Sequence, residues 1–140
     1  MPLKHIMTTE VVTVRPDEAF SHVEEKMRLN HIRHLPVIDQ KRKLVGLITH
    51  RDLYRAASPR WTPNGYAFDK EQLDGFILDH WMTQDPARMH PDDSVIDAVK
   101  LMASLKYGCV PIVEGDGTLA GIVTQVDLLK FLAVYLDQLK

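Results

Sequence analysis

The chain has 140 residues, of which 45% are hydrophobic and 26% are charged, and its formal net charge is −2. No apolar run reaches the roughly 18–20 residues needed to cross a bilayer, and Met1–His5 lacks the apolar stretch of a secretory signal. The single Cys109 excludes a disulfide framework or a thiolate metal cluster. The weakly acidic charge balance argues against nucleic acid as a partner. We therefore expect a soluble, cytoplasmic protein of one domain or two small halves, without membrane contact.

The chain contains an internal duplication. Residues 5–57 align with residues 80–132 without a gap at a shift of 75 positions, and twelve of the 53 aligned pairs are identical. Chance would give about three identities over such a length. We therefore divide the chain into repeat 1 (residues 1–57), a linker or insertion (58–79) and repeat 2 with a C-terminal helix (80–140).

The first copy predicts five elements in the order β-α-β-β-α. They are a strand at Val11–Val14, a helix opening at Pro16–Glu18, strands at Leu35–Ile38 and Leu44–Ile48, and a helix from Thr49. Apolar side chains at helical spacing predict the buried stripe of the first helix: Phe20, Val23 and Met27.

The second copy repeats this order. It has a helix opening at Pro91–Asp93, strands at Val110–Val113 and Leu119–Val123, and a closing helix from Gln125. The inward positions of its first helix are Val95, Ala98, Met102 and Leu105. Between the copies, Pro and Gly predict a loop, followed by a short helix over Gln72–His80.

Neither copy is expected to fold easily alone. A unit of about 50 residues with an exposed apolar face lies near the lower limit for independent folding. Two copies stacked sheet to sheet, related by pseudo-two-fold symmetry, would bury those faces. We therefore predict an α/β (α+β) fold of two β-α-β-β-α repeats, with pockets in the clefts between them.

The chemically informative motif is Thr-x-x-Asp at a strand-to-helix junction, at Thr49/Asp52 and again at Thr124/Asp127. One interpretation is a capping box, in which threonine and acid satisfy the free N–H groups of the helix start. The other is nucleotide recognition, because the helix N-terminus and the Thr hydroxyl can donate to a phosphate. The Asp carboxylate can then accept from the vicinal hydroxyls of a ribose. Both interpretations remain open at this point.

Eight segments together resemble a tandem pair of cystathionine beta-synthase (CBS) domains, a Bateman module. Their order, present twice, carries the resemblance: Met7–Thr8, Val11–Asp17, His34–Asp39 and Gly46–Leu53, then Met82–Thr83, Pro91–Asp92, Val110–Val113 and Gly121–Leu128. The resemblance implies a regulatory module that binds AMP, ADP, ATP or S-adenosylmethionine. It also implies a homodimer in the form of a four-repeat disc and regulation of an unidentified protein target.

The resemblance also implies two sites, in which Asp holds the ribose and Thr the phosphate. One would consist of Thr124, Asp127, Val12, Ile32 and Arg33, and the other of Thr49, Asp52, Ala87, Tyr107 and Gly108. Repeat 2 departs from the common pattern, because Tyr107–Cys109 replaces Ile32–His34 and Gln125–Val126 replaces His50–Arg51. We therefore expect unequal sites.

Charge also differs between the copies: residues 5–57 carry 9 basic and 7 acidic residues, whereas residues 80–132 carry 4 and 7. Four basic side chains adjoin the expected phosphate positions and either bind phosphate or are solvated surface groups: Arg33, His34, His50 and Arg51.

Other candidates are weaker. His31 and His34 have no matched ligand pair, so we expect no metal site. Cys109 precedes a strand and is predicted to be a buried, inert thiol. An apolar tail is predicted to contact another subunit: Phe131, Val134, Tyr135 and Leu136. No nucleophile–base pair or phosphate-binding glycine loop indicates an enzyme or catalytic residues. The alternative to a nucleotide sensor is a structural or oligomerisation module that binds no nucleotide.

Overall fold

The computed structural model describes all 140 residues, which form two compact units. Unit I consists of residues 12–41 and 45–86, and unit II consists of residues 1–11, 42–44 and 87–140. Each unit holds most of one copy of the duplicated sequence. The repeat boundaries after residues 57 and 79 concern the duplication rather than compactness, and they stay predictions.

Unit I combines a three-stranded sheet, a small hairpin and four helices. Its elements are α1 (Phe20–Asn30), β1 (His34–Ile38), β2 (Leu44–Thr49), α2 (His50–Ala56), β3 (Arg60–Thr62), β4 (Gly65–Ala67), α3 (Lys70–Asp74), α4 (Leu78–Trp81) and β5 (Thr83–Gln84). The sheet order is β1-β2-β5, with β5 antiparallel to β2, and β3 pairs only with β4.

Unit II is built around an antiparallel strand pair. A 3-10 helix (Leu3–His5) is followed by α5 (Val95–Leu105), β6 (Cys109–Val113), β7 (Leu119–Thr124) and α6 (Gln125–Gln138). Both units therefore contain the helix-strand-strand-helix series predicted for each copy, and the mixed α/β class is confirmed.

The duplication is visible in the strand pairing. In unit II, Thr8 pairs with Ile122 of β7, and the residues 75 positions away from this pair, Thr83 and Leu47, pair in unit I. The first residues of each copy thus pair with the last strand of the other copy. This exchange explains why residues 1–11 belong to the unit that contains repeat 2.

The predicted strand at Val11–Val14 is wrong, because only Val14 pairs, through a single parallel bridge to Val37. The equivalent position in unit II, Met89, likewise forms one bridge, to Ile112. A short segment along a sheet edge can satisfy its backbone with so few bonds because the remaining groups face other partners or solvent.

Both first helices begin later than predicted. The starts at Pro16–Glu18 and Pro91–Asp93 are wrong, since α1 begins at Phe20 and α5 at Val95. The carboxylate of Glu18 accepts from the backbone N–H of Arg15 at 2.6 Å, and Asp93 accepts from His90 at 2.8 Å. These local bonds close a turn, and side chains that bond the nearby backbone compete with helix formation.

The cores confirm most of the predicted stripes. Phe20, Val23 and Met27 are buried in unit I, and Val95, Ala98 and Met102 in unit II. Leu105 is an error in the prediction, because its side chain is 51% exposed. It is the last residue of α5, and the next residue, Lys106, adopts a left-handed conformation with φ 57° that turns the chain away.

Residues 58–79 form more structure than the predicted loop. They contain the β3–β4 hairpin, and the single helix predicted over Gln72–His80 is two short helices, α3 and α4. Gly75, a residue of low helix propensity, is the C-cap of α3. Leu73 and Leu78 are fully buried in the core of unit I, so this segment is an integral part of that unit.

Gly46 and Gly121 lie against the first residues of the opposite copy, and this close approach predicts how their substitution changes stability. A Cβ at Gly121 would lie 2.7 Å from the backbone oxygen of Thr8, whereas a Cβ at Gly46 would lie 2.5 Å from the Met82 Sδ atom, on a flexible side chain. We expect Gly121→Ala to reduce the free energy of unfolding by about 1–3 kcal/mol, and Gly46→Ala by less.

Urea unfolding of the variants tests this difference. Gly115→Ala is the control, because a Cβ at Gly115 meets no atom within 4 Å. Equal losses for Gly121→Ala and Gly115→Ala would show that the close approach of Thr8 to β7 is not a packing constraint.

Candidate functional site

The first Thr-x-x-Asp motif lies where β2 passes into α2. Thr49 is the extended N-cap residue, and the Oδ2 atom of Asp52 accepts from the Thr49 backbone N–H at 2.8 Å and from its hydroxyl at 3.1 Å. Asp52 is 5% exposed. The capping box predicted as one interpretation is therefore formed.

The second oxygen of Asp52 has a charged partner. Its Oδ1 atom accepts from the Arg55 guanidinium at 3.1 Å, and the same guanidinium lies 5.9 Å from the centre of the Trp81 ring. Asp52 is thus partly neutralised by a residue one helical turn away. One lone pair on Oδ1 stays available, because a carboxylate oxygen can accept two hydrogen bonds.

The second motif, between β7 and α6, has the same box and a different outer partner. Asp127 Oδ2 accepts from the Thr124 N–H at 2.9 Å and from the Thr124 hydroxyl at 3.2 Å. Its Oδ1 atom accepts from the hydroxyl of Thr8 at 3.1 Å. The partner of the Asp Oδ1 atom is therefore a neutral hydroxyl in unit II and a guanidinium in unit I.

Each motif adjoins the start of the preceding hairpin. The His50 N–H donates to the Arg33 carbonyl at 2.8 Å, and the equivalent Gln125 N–H donates to the Gly108 carbonyl at 3.1 Å. Arg33 and His50 are thus together in unit I, and Gly108 lies beside Gln125, next to Thr124, in unit II. These backbone bonds place the helix start next to the segment that leads into the first strand of each hairpin.

The remaining predicted residues are distributed over both units. Val12, Ile32, His34 and Arg51 are in unit I, where Val12 and Ile32 pack against the core and Arg51 is exposed. Ala87 and Tyr107 are in unit II. The two groupings implied by the family resemblance each take residues from both units, and they stay predictions.

Two histidines near Arg33 have lowered pKa values. Burial lowers the pKa of His34, and the neighbouring Arg33 charge lowers it further. Burial and Arg33 also lower the pKa of His50, with Glu24 acting in the opposite direction. Arg33 therefore creates a positive potential at both imidazoles, which favours their neutral forms.

A groove of about 720 Å³ opens beside this cluster, entirely within unit I. Ile32, Arg33 and His50 line it, whereas Thr49 and Asp52 do not. An aromatic wall, which the sequence analysis did not predict, completes it: Tyr54, Tyr66 and Phe68. The only feature of the sequence that could have indicated this wall is the presence of aromatic residues in the 58–79 segment.

The other candidates have structural roles. Cys109 is 3% exposed, so its predicted burial is confirmed, and burial raises the pKa of its thiol to about 12, which favours the protonated, unreactive form. His31 is exposed and is the left-handed C-cap of α1, with φ 54°. No group of three His, Cys, Asp or Glu side chains converges in a way that could hold a metal ion.

Comparison with known proteins determines the family. The sequence profile of the CBS domain matches residues 3–59 and 77–134. The chain belongs to the CBS domain family. It is 30% identical over 135 residues to a CBS domain-containing protein of Dictyostelium discoideum, covering 96% of this chain and 93% of that protein.

Solved structures of CBS domain pairs have the same fold. The pair of protein MJ0100, in complex with 5′-methylthioadenosine and S-adenosylmethionine, superimposes with a TM-score of 0.78 over 96% of this chain and 98% of that one, at 23% identity. CBSX2 in complex with AMP gives a TM-score of 0.80 over 97% and 98%, at 24% identity. Two tandem CBS domains are therefore present. None of the helices combines the length and apolar character that a membrane crossing demands.

The lowered pKa of His34 predicts a pH-dependent stability. Below about pH 6.5 the unfolded chain takes up a proton at this residue more readily than the folded chain does. Stability therefore falls as the pH decreases from 7.5 to 5.5. We expect His34→Gln to reduce this dependence, as measured by urea unfolding at several pH values.

The control is His80→Gln, at an exposed histidine. It should retain the slope of the parent protein. An unchanged slope in His34→Gln would contradict the role of His34.

Proposed function

We propose that the protein is a regulatory, non-catalytic module that binds an adenosine-containing ligand: AMP, ADP, ATP or S-adenosylmethionine. The observation that carries this proposal is the repeated junction at which an Asp carboxylate, a Thr hydroxyl and a helix start meet, at Thr49/Asp52 and Thr124/Asp127. The relatives that contain AMP, methylthioadenosine or S-adenosylmethionine support it. Location in the cytoplasm and action on a protein target are parts of the same proposal.

The proposed chemistry assigns one task to each group. The ribose hydroxyls donate to the free lone pair on Oδ1 of Asp52 or Asp127. The Thr hydroxyl, which donates to the Asp Oδ2 atom in this structure, turns to the phosphate when ligand binds, and the helix start donates to the same phosphate. For S-adenosylmethionine the ribose contact is retained, and the sulfonium takes the place of the phosphate. A bound ligand would change the conformation of the pair only to the extent that it binds one conformation more tightly.

The two sites are proposed to be unequal. In unit I, a ribose hydroxyl must share Oδ1 with the Arg55 guanidinium, and in unit II it shares Oδ1 with the neutral Thr8 hydroxyl. A charge-assisted bond is roughly twice as strong as a neutral one, so Arg55 competes more effectively. We therefore expect Asp127 to hold ligand more tightly than Asp52.

The second candidate function is a structural or oligomerisation module. The observation that favours it is that both capping boxes are formed without any ligand, each bonding the backbone N–H groups of its N-cap threonine and of its aspartate. In this case nucleotides would have no effect on stability.

Thermal unfolding with about 1 mM AMP, ADP, ATP, S-adenosylmethionine or GTP distinguishes the two functions. A ligand at 100 times its Kd adds about 2.7 kcal/mol, a rise in Tm of roughly 5–10 °C for a chain of this size. We expect a rise with at least one adenosine ligand that Asp127→Ala reduces more than Asp52→Ala.

Because each Asp also caps a helix, each variant is compared with its own ligand-free Tm. Ser94→Ala is the matched control, since Ser94 caps α5 through the Ile96 N–H and lies outside both motifs. It should lose stability, at about 1 kcal/mol, and keep the full ligand response. No rise with any ligand would favour the structural module.

We propose further that the protein is a homodimer, because the predicted four-repeat disc consists of two chains with two repeats each. An exposed apolar stripe at helical spacing runs along α6 and ends at its C-cap, Leu139: Val126, Leu129, Leu132 and Leu136. Of the predicted contact residues, Val134, Tyr135 and Leu136 are exposed, and Phe131 is partly buried and stacks on Tyr135 at 6.4 Å. A continuous stripe of this kind is typical of a helix that packs against a partner.

Light scattering after size exclusion tests the dimer. We expect a dimer for the parent protein and a monomer for the double variant Leu132→Asp/Leu136→Asp, because two buried charges without partners would oppose association. The control Ile77→Asp changes an exposed apolar residue of unit I and should stay dimeric. A monomeric parent protein at about 100 µM would contradict the proposal.

A further inference from the structure

We propose that the groove of unit I is a second binding site, formed with residues 58–79, for a planar aromatic ring that carries an anionic group. The groove is distinct from the Thr49/Asp52 junction, since neither of these residues lines it, although Ile32, Arg33 and His50 in its lining also belong to the predicted nucleotide sites. The proposed site gives a function to residues 58–79, the linker between the copies, which has no counterpart in the duplication.

The groove has three walls and an apolar floor. One wall comes from α1, one from the start of α2, and the third from β4 and α3 of the 58–79 segment. Met27, Leu53 and Leu73, all buried core residues, form the floor. The volume of about 720 Å³ falls in the range of about 300–1,000 Å³ that small-molecule sites occupy.

Aromatic side chains dominate one side of the groove. The His50 and Tyr54 rings are 4.8 Å apart, and the Tyr54 and Phe68 rings are 5.3 Å apart, both in edge-to-face geometry. Tyr66 also lines the groove and is 70% exposed. This surface offers a planar ligand both stacking and edge-to-face contacts, which favour an aromatic ring over a saturated one of the same size.

The charges that line the groove favour an anion. Arg28 is neutralised by Glu24 at 3.0 Å, whereas Arg33 and Lys70 have no carboxylate within 4.0 Å. The one acidic side chain in the lining without an ion pair is Glu25. Two unpaired cations against one unpaired carboxylate leave a positive excess. Burial lowers the pKa of His50, the Arg33 charge lowers it further, and Glu24 acts in the opposite direction.

Aromatic rings and unpaired cations line the same groove, and together they determine which class of ligand fits it. A small aliphatic anion would contact the cations but leave the aromatic wall unused, and a neutral ring would leave Arg33 and Lys70 without a partner. A fused or substituted ring with one carboxylate, sulfonate or phosphate satisfies both sets of groups.

The probes that test this inference are 2-naphthoate, its neutral amide 2-naphthamide, and saturated cyclohexanecarboxylate. Binding to the full chain is followed by amide chemical shifts, which also locate the site. A ligand of this size with ordinary efficiency has a Kd of about 1 mM. We expect 2-naphthoate to bind at least about fivefold more tightly than either comparison compound, with shifts at Tyr54, Phe68 and Lys70.

Two variants at exposed residues separate the contribution of charge to binding from the contribution of the aromatic wall. Lys70→Gln should weaken 2-naphthoate about fivefold and leave 2-naphthamide unchanged, whereas Tyr66→Ser should weaken both. The matched control Lys106→Gln removes an exposed charge from unit II and should change neither affinity. Since Tyr66 and Lys70 are exposed, both variants should fold, which an unchanged Tm verifies.

The outcome is distinguishable from that of the nucleotide proposal. Asp52→Asn and Asp127→Asn should bind 2-naphthoate normally even if AMP binding is lost, and a failure of all nucleotides to bind leaves the groove result unaffected. The inference is overturned if 2-naphthoate does not bind at 10 times the expected Kd, if 2-naphthamide binds equally well, or if Lys70→Gln has no effect. Loss of 2-naphthoate binding in Asp52→Asn would also overturn it, because the groove would then belong to the nucleotide site.

Discussion

The architecture depends on a backbone constraint, the pairing of the first residues of each copy with the last strand of the other copy. Thr8 pairs with Ile122 and Thr83 with Leu47, and at both places a glycine lets the incoming segment approach. Any side chain at Gly121 would overlap the Thr8 carbonyl. The exchange makes each unit depend on residues of both copies, so neither copy has a complete sheet when considered as a continuous sequence segment.

The same pairing also positions the candidate ligand groups. Because Thr8 lies against β7, its hydroxyl reaches the Asp127 carboxylate at the start of α6. In the other copy the Oδ1 atom of Asp52 takes Arg55 as its partner, not the equivalent residue Thr83. One constraint repeated twice therefore produces two sites of different electrostatic character, since the residues that surround the repeated backbone have diverged.

The sequence predicted the parts of the structure that rest on repetition and periodicity. The duplicated order of helices and strands, the buried stripes of α1 and α5 and the Thr-x-x-Asp junctions all follow from spacing that recurs 75 residues later. The errors lie where a single local bond decides the conformation. The Glu18 carboxylate bound to the Arg15 N–H delays α1, and no periodic pattern shows such a bond in advance. The groove was missed for a related reason: its aromatic wall joins α2 to Tyr66 and Phe68, which are separated in sequence and have no counterpart in the alignment.

Duplication and divergence together explain why the two Thr-x-x-Asp junctions differ in the side chains that surround them. The junction of unit II retains the capping box with a neutral partner and follows a buried, inert Cys109 on β6. The junction of unit I is surrounded by Arg33, His34 and His50, and burial beside the Arg33 charge favours the neutral imidazoles. A neutral imidazole next to a permanent cation can donate to or accept from a ligand without adding like-charge repulsion. Arg33, His34 and His50 therefore place hydrogen-bonding groups with limited mutual repulsion in unit I, and the 58–79 segment adds aromatic rings to the same unit.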